Sequence, residues 1–361
     1  MVKTVKTQRL LSLDILRGIT VAGMILVNNG FGESFEMLQH SRWNGLTACD
    51  LVFPFFLFIM GISCYLSMVK SAFKPTPAVI RRIAKRTLLL FAIGLFINWF
   101  EHAVKGDLLC FDHLRLWAVM QRIALCYAAV SLFALFCSHR YTIPAVVALL
   151  AVYSAILLFG NGYAYDADAN ILAQADLRLF GYDHLYHKSP VDPEGLLGTI
   201  SSVAHVLLGF YCGKLIREKD TVEQKVIAIF VLAAVLVIGG YLLSFGLPLN
   251  KRIWSPSYVL VTCGLASLLQ ALLMYVIDIQ QKSGWTTFFR VFGVNALALY
   301  VSSELLAILL HHIGVSQVVY SAIHALIPPL KWASLAYALY FVLLNFAIGY
   351  VLYRKKIYIK L

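Results

Sequence analysis

The residue types best suited to chemistry cluster in one short stretch, VNNGFGESFEMLQHSRWNGLTACD, between two apolar runs near the start of the chain. It brings Asn28, Asn29, His40, Arg42, Trp43, Asn44 and Asp50 close together in sequence. Histidine has an unperturbed pKa near neutrality, so His40 can take a proton and return it. On its own it reads first as an interfacial polar residue and only then as a base. Asp50 opens the next apolar run. It either caps that helix through free backbone N–H groups, the favoured reading, or orients His40 as a buried carboxylate.

A second chemistry is written in PAVIRRIAKRTLLL. Arg81 and Lys85, and Arg82 and Arg86, are four apart, so on a helix they form a broad basic patch. Such a patch holds the phosphates of a cytoplasmic cofactor or contacts anionic lipid headgroups. Asp14 and Arg17 are three apart on the first apolar helix and share a face. They pair with each other or orient a phosphate. Gln121, Arg122, His205, Asn295, Ser302, Ser303 and Glu304 fall within apolar runs. Polar groups at that depth usually face a bundle interior or a wet cavity. His311 with His312, and His184 with His187, have metal-like spacing, but no acidic or cysteine partner completes either set, and no metal is expected.

The elements that must carry these residues are membrane spans. Of 361 residues, 60% are hydrophobic and only 13% charged; a soluble domain usually has about a quarter charged. A spanning helix needs roughly 20 mostly apolar residues. Ten segments qualify, near 13–30, 50–69, 87–104, 116–137, 142–160, 197–216, 225–244, 256–277, 288–310 and 332–353. The expected fold is therefore an all-α, polytopic membrane bundle of about ten transmembrane helices forming one domain over 1–361. With both termini cytoplasmic, twenty of the thirty basic residues lie in inside segments and eight in outside ones, as the positive-inside rule requires. Among the inside ones are Lys3, Lys6, Arg9 and Lys360. The same rule accounts for the net charge of +12, so no nucleic acid is expected. The longest outside loop, about 161–196, carries Asp192 and Glu194 and suits a polar substrate. The seven cysteines form no CxxC pair and read as small buried hydrophobes.

The run RLLSLDILRGITVAGMILVNNG…LQHSRWNGLTACDLVFPFFLFIMGISCYLSM resembles the transmembrane heparan-α-glucosaminide N-acetyltransferase family, within a wider group of membrane acyltransferases. The likeness continues in LWAVMQRIALCY, VDPEGLLGTISSVAHVLLGFYCGKLI and PLNKRIWSPSYVLVTCG. The resemblance implies transfer of an acetyl group from cytoplasmic acetyl-CoA, as co-substrate, to a sugar amine on the far side. A chain starting at this basic segment looks like a bacterial inner-membrane member, which favours glucosamine or a glucosamine-ended oligosaccharide as acceptor. The resemblance is also compatible with a homodimer, and membrane lipids surround it.

Carried over by motif, the family's active-site histidine falls on His40 and its asparagine on Asn28, with Asn29 a competitor. Asp50 belongs to the same block as a catalytic candidate, with Trp43 and Asn44 shaping the pocket. Asp192, Glu194, Asn250, Lys251 and Trp254 would approach the sugar. Acetyl-CoA would lie near Asp14, Arg17, Arg81, Arg82, Lys85, Arg86 and Arg122. In direct transfer His40 is the general base and Asn28 the oxyanion donor; the rival route acetylates His40 first. An O-acyltransferase of an exported glycan or lipid is the main alternative, and a sugar transporter a more distant one.

Overall fold

The structure is a computed structural model that describes residues 10–359; Lys3, Lys6, Arg9 and Lys360 lie outside the described residues. Within them the chain is helical and has no strand. Nine helices are long and apolar enough to cross a membrane, or ten when one bent pair counts as a single span. The chain is thus the expected all-α membrane bundle. In order these are α1 (Leu11–Asn28), α2 (Val52–Met68), α3 (Pro77–Ala103), α4 (Val119–Phe136) and α5 (Thr142–Phe159). After a short α6 (Ile171–Phe180) come α7 (Gly198–Glu218), α8 (Val222–Leu243) and α9 (Pro256–Leu273). The bent pair α10 (Thr287–Val294) and α11 (Ala296–His312), a short α12 (Val315–Leu326) and α13 (Leu330–Arg354) complete the bundle.

Three elements differ from expectation. The third helix starts ten residues early, because Thr76 caps it, accepting from Val79 N, with Pro77 in its first turn. Proline lacks an N–H that would be unpaired there anyway. The basic patch therefore forms the first turns of α3. The ninth span is not continuous: α10 and α11 meet at 86°. The break is held by Asn295, whose amide donates to Ile357 O at 3.0 Å and accepts from Ile359 N at 2.9 Å. The loop 161–196, expected as an open connection, folds into α6, capped by Asn170, over a small core of Tyr153, Leu157, Leu172, Val191 and Ile253.

Small residues let the central helices touch. Lipid tails give little hydrophobic drive between spans, so close backbone approach matters more. Gly18 of α1 lies against the backbone of Phe289, and Gly293 of α10 against that of Asp14. No side chain fits at either position. This contact fixes the N-terminal half of α1 against the bent pair. It leaves the other end of α1, at Asn28, facing α11.

Candidate active site

Asp50 is the fixed point of the site. It is fully buried, beside the fully buried Tyr258 on α9, whose hydroxyl donates to Asp50 O at 2.6 Å. Its side chain caps neither α2 nor the 3-10 turn before it, which overturns the favoured capping reading. Instead Oδ2 accepts from Ser41 N at 3.1 Å, Thr47 N at 3.2 Å and Thr47 Oγ1 at 3.0 Å, folding the loop around it. Oδ1 meets His40 Nδ1 at 2.8 Å. A buried carboxylate on Nδ1 fixes the tautomer and leaves Nε2 as the acceptor. The Cys49 thiol also touches the ring, 3.1 Å from Nδ1.

A turn between α8 and α9 brings Lys251 to the same point. Asn250 ties that turn: its N–H donates to Ser255 Oγ at 3.0 Å and its Oδ1 accepts from Ile253 N at 3.2 Å. Its Nδ2 reaches Asn44 Oδ1 at 3.1 Å, and Leu249 O accepts from Gly45 N at 2.8 Å. The turn is thereby locked to the His40 loop. Trp254 takes a left-handed backbone (φ 52°) while fully buried, a strained geometry that persists only when packing over-determines it. Lys251 Nζ ends 3.0 and 3.1 Å from the two ring nitrogens of His40 and 3.8 Å from Asp50 Oδ1. Burial pushes the Lys251 amine below the usual lysine range, although Asp50 and Glu194 oppose that.

A second charged group stands across the site. Arg115 Nη2 donates to Asp192 Oδ1 at 2.8 Å and Glu194 Oε2 at 2.9 Å. Asp192 also accepts from Tyr186 N and Glu194 N, at 3.0 and 2.9 Å. Two buried carboxylates share one guanidinium, so they separate. Burial raises the Asp192 carboxyl against the pull of Arg115. Burial acts on Glu194 too, but Arg115, Arg122 and Lys251 outweigh it and hold that carboxyl low.

Between these groups lies a cavity of about 380 Å³. Asn28, His40, Arg115, Glu194, Lys251 and Glu304 are among its lining residues. Asn28 Nδ2 donates to Glu304 Oε1 at 3.2 Å. Asn29 turns away, its amide donating to Ile25 O at 2.8 Å, so Asn28 is the asparagine that shares the cavity with His40. Trp43 donates to Tyr163 O at 3.0 Å. Trp43, Asn44, Asp192, Asn250 and Trp254 support the walls without lining the cavity.

The residues expected around acetyl-CoA are not gathered in one place. Arg81, Arg82 and Lys85 are exposed on α3. Arg86 lies over the Tyr127 ring at 4.5 Å, and with Arg82 it lines a cleft of only about 20 Å³. Seventeen residues of α3 separate Arg81 from cavity-lining Asn98, about 25 Å at the helical rise. Arg17 donates to Asp14 Oδ1 and Ser63 Oγ, both at 2.9 Å. Arg122 is elsewhere: it donates to Gly195 O at 2.8 Å and lies over the Trp254 ring at 5.2 Å. That places it beneath the cavity rather than with the basic patch. An apolar groove of about 470 Å³ runs between α3 and α11, from Leu297 and Ile359 to Phe100 and Leu309.

Neither Arg115 nor Cys49 stands out in the sequence as a site residue, and Glu304 does so only as a deep polar group. The signal for Arg115 was indirect, since two nearby buried carboxylates need a cation.

Residues 9–245 match the family model described as heparan-alpha-glucosaminide N-acetyltransferase, catalytic. The heparan-alpha-glucosaminide N-acetyltransferase of Mus musculus is 30% identical over 359 residues, covering 82% of this chain and 54% of that protein. That of Homo sapiens is 29% identical over 362 residues, covering 82% and 53%. The chain therefore spans about half the length of the curated relatives it matches.

Proposed function

The chain belongs to the heparan-alpha-glucosaminide N-acetyltransferase catalytic family, and from that premise we propose that it is a membrane-bound N-acetyltransferase. It moves an acetyl group from cytoplasmic acetyl-CoA to the amine of a glucosamine or glucosamine-ended sugar on the periplasmic side of a bacterial inner membrane. The observation that carries this reading is the buried Asp50 carboxylate on His40 Nδ1, in a cavity that Asn28 also lines.

The chemistry follows from that geometry. Asp50 holds the imidazole so that Nε2 faces an acceptor. In the resting chain Lys251 shares that nitrogen at 3.1 Å, and the entering amine takes its place. The sugar ammonium first gives one proton to solvent. The free amine then attacks the thioester carbonyl, and the negative charge that develops on oxygen is met by Asn28. His40 takes the second proton from nitrogen as the C–S bond breaks and returns it to the departing thiolate. One amide and one thiol form, and one proton is released. Glu194, Glu304 and Arg115 offer hydrogen bonds to sugar hydroxyls.

The donor must cross about 25 Å from the basic start of α3. Phosphates at Arg81, Arg82, Lys85 and Arg86 would let the pantetheine arm lie along the α3–α11 groove, whose wall residues alternate with those of the cavity. The experiment is a product analysis: purified protein, labelled acetyl-CoA and a panel of amino sugars. An amide product supports the reading. An ester product from hydroxyl-only glycans, with no amide, contradicts it.

A further inference from the structure

The first part of the connection from α3 to α4, residues 104–113, lies outside the catalytic cavity and carries its own cluster. α3 ends beyond His102, and Gly106 turns the chain back with φ +91, a conformation glycine adopts without penalty. Asp107 N then donates to His102 O at 3.2 Å, and Trp99 Nε1 donates to Leu108 O at 3.1 Å. A 3-10 turn follows at Cys110–Asp112. It returns the chain far enough that one ligand atom each from His102, Asp107 and Cys110 lie within 4.8 Å of one another. The His113 ring stands 5.0 Å from that of His102, centroid to centroid, and its Nε2 is 2.8 Å from Asp107 Oδ2. Its Nδ1 is held by Asp112 Oδ1, also at 2.8 Å.

We propose that His102, Asp107, Cys110 and His113 form a tetrahedral site for a borderline-soft divalent cation of the zinc class. Two imidazoles, a carboxylate and a thiolate make a complete four-ligand set, each of a type that zinc takes. A thiolate with imidazoles selects zinc over magnesium or calcium, which prefer oxygen. Ligand atoms about 2.0–2.3 Å from zinc lie roughly 3.5 Å apart, so on binding the His102, Asp107 and Cys110 atoms close by about 1 Å, while His113 Nε2, now 2.8 Å from Asp107 Oδ2, exchanges that contact for the metal and moves slightly apart from it. The Asp112–His113 contact is the outer partner such a ligand needs. It fixes the tautomer and aims Nε2 inward, toward Asp107. Binding displaces the Cys110 thiol proton.

The loop has reason to need a staple. Leu109 is 80% and Phe111 63% exposed, while Cys110 between them is fully buried. Little apolar packing holds the segment, yet it ends at Arg115, whose carbonyl accepts from Asn98 Nδ2 at 2.7 Å and whose guanidinium crosses the catalytic cavity. A metal here positions Arg115 without touching substrate.

The test uses tag-free, full-length protein in detergent, stripped with chelator, loaded with zinc chloride and desalted. Elemental analysis is expected to find one zinc per chain, with a rise in melting temperature on loading. Loaded with cobalt(II) instead, the protein should show thiolate-to-cobalt charge transfer and the strong visible bands of a tetrahedral site. Cys110→Ser should lose the charge-transfer band. Asp112→Asn, an exposed change that leaves all four ligands, should weaken zinc by roughly tenfold or more. Wild type that retains no zinc, or a Cys110→Ser protein with an unchanged cobalt spectrum, would overturn the site. Should Cys110→Ser fail to fold, His113→Gln at the exposed ligand serves the same purpose, with undiminished zinc affinity the contrary result.

Discussion

At the His40 end of the bundle, buried carboxylates meet cations: Asp50 has Lys251 at 3.8 Å, and Asp192 and Glu194 have Arg115 at 2.8 and 2.9 Å. At the other end of α3, Arg81, Arg82 and Lys85 stand exposed on the first turns of one helix. A buried ion network is rigid because removing one partner strands the other, at a cost of about 3–5 kcal/mol. Exposed like charges are worth little to the fold and are free to meet a phosphate. The first arrangement suits chemistry that demands position; the second suits a mobile, anionic group held by electrostatics.

The sharpest way to break this contrast is at Asp50. Asp50→Asn keeps the shape but removes the charge that sets the His40 tautomer. Turnover is expected to fall by roughly 10³–10⁴-fold, read as kcat for amide formation. A loss below tenfold would mean that the carboxylate only shapes the loop. Next comes Asn28→Ala, expected to lower kcat by about 10²-fold as a lost oxyanion donor; Asn29→Ala, whose amide serves its own helix, should change kcat little. Equal losses would dissolve the distinction between the two asparagines.

A smaller effect is readable as stability against pH. Asp176 on α6 is 1% exposed, and burial raises its carboxyl to about 6 from 3.8. Oδ1 accepts from Leu196 N at 3.0 Å, while Oδ2 has no partner among the described residues. A folded-state pKa above the unfolded one contributes stability that is full below about pH 4 and is lost as pH rises through about 6. The melting temperature should therefore fall across that window, and Asp176→Asn should flatten the fall, by about 3 kcal/mol at neutral pH. An unchanged slope in the variant would remove Asp176 as its source. The smallest effect belongs to the exposed end: Arg81→Ala with Lys85→Ala should raise KM for acetyl-CoA several-fold, more at low salt than at high, with kcat unchanged. A fall in kcat alone would place those residues in the rigid class.

Much of this contrast was legible in the sequence where partners are close along the chain. His40 and Asp50 are ten residues apart in one loop, and the helical spacing of Arg81 to Arg86 fixes one face. The spans were readable because length and hydropathy set them. What escaped reading depends on long-range closure. Lys251 reaches His40 only through the Asn250 turn, and Arg115 meets Asp192 only across the loop that α6 orders. The break at Asn295 was hidden in a continuous apolar run, since the backbone partners that stabilise it come from Ile357 and Ile359. Arg122 reads in sequence as a cation for phosphates, and only the fold brings Trp254, far away in sequence, beneath it.

The most direct test of the central claim is transfer by purified protein given radiolabelled acetyl-CoA and glucosamine, wild type beside His40→Ala. Labelled N-acetylglucosamine from wild type, with none above background from His40→Ala, is the result predicted. A His40→Ala protein that still acetylates glucosamine at a wild-type rate would contradict the assignment of His40 as the base.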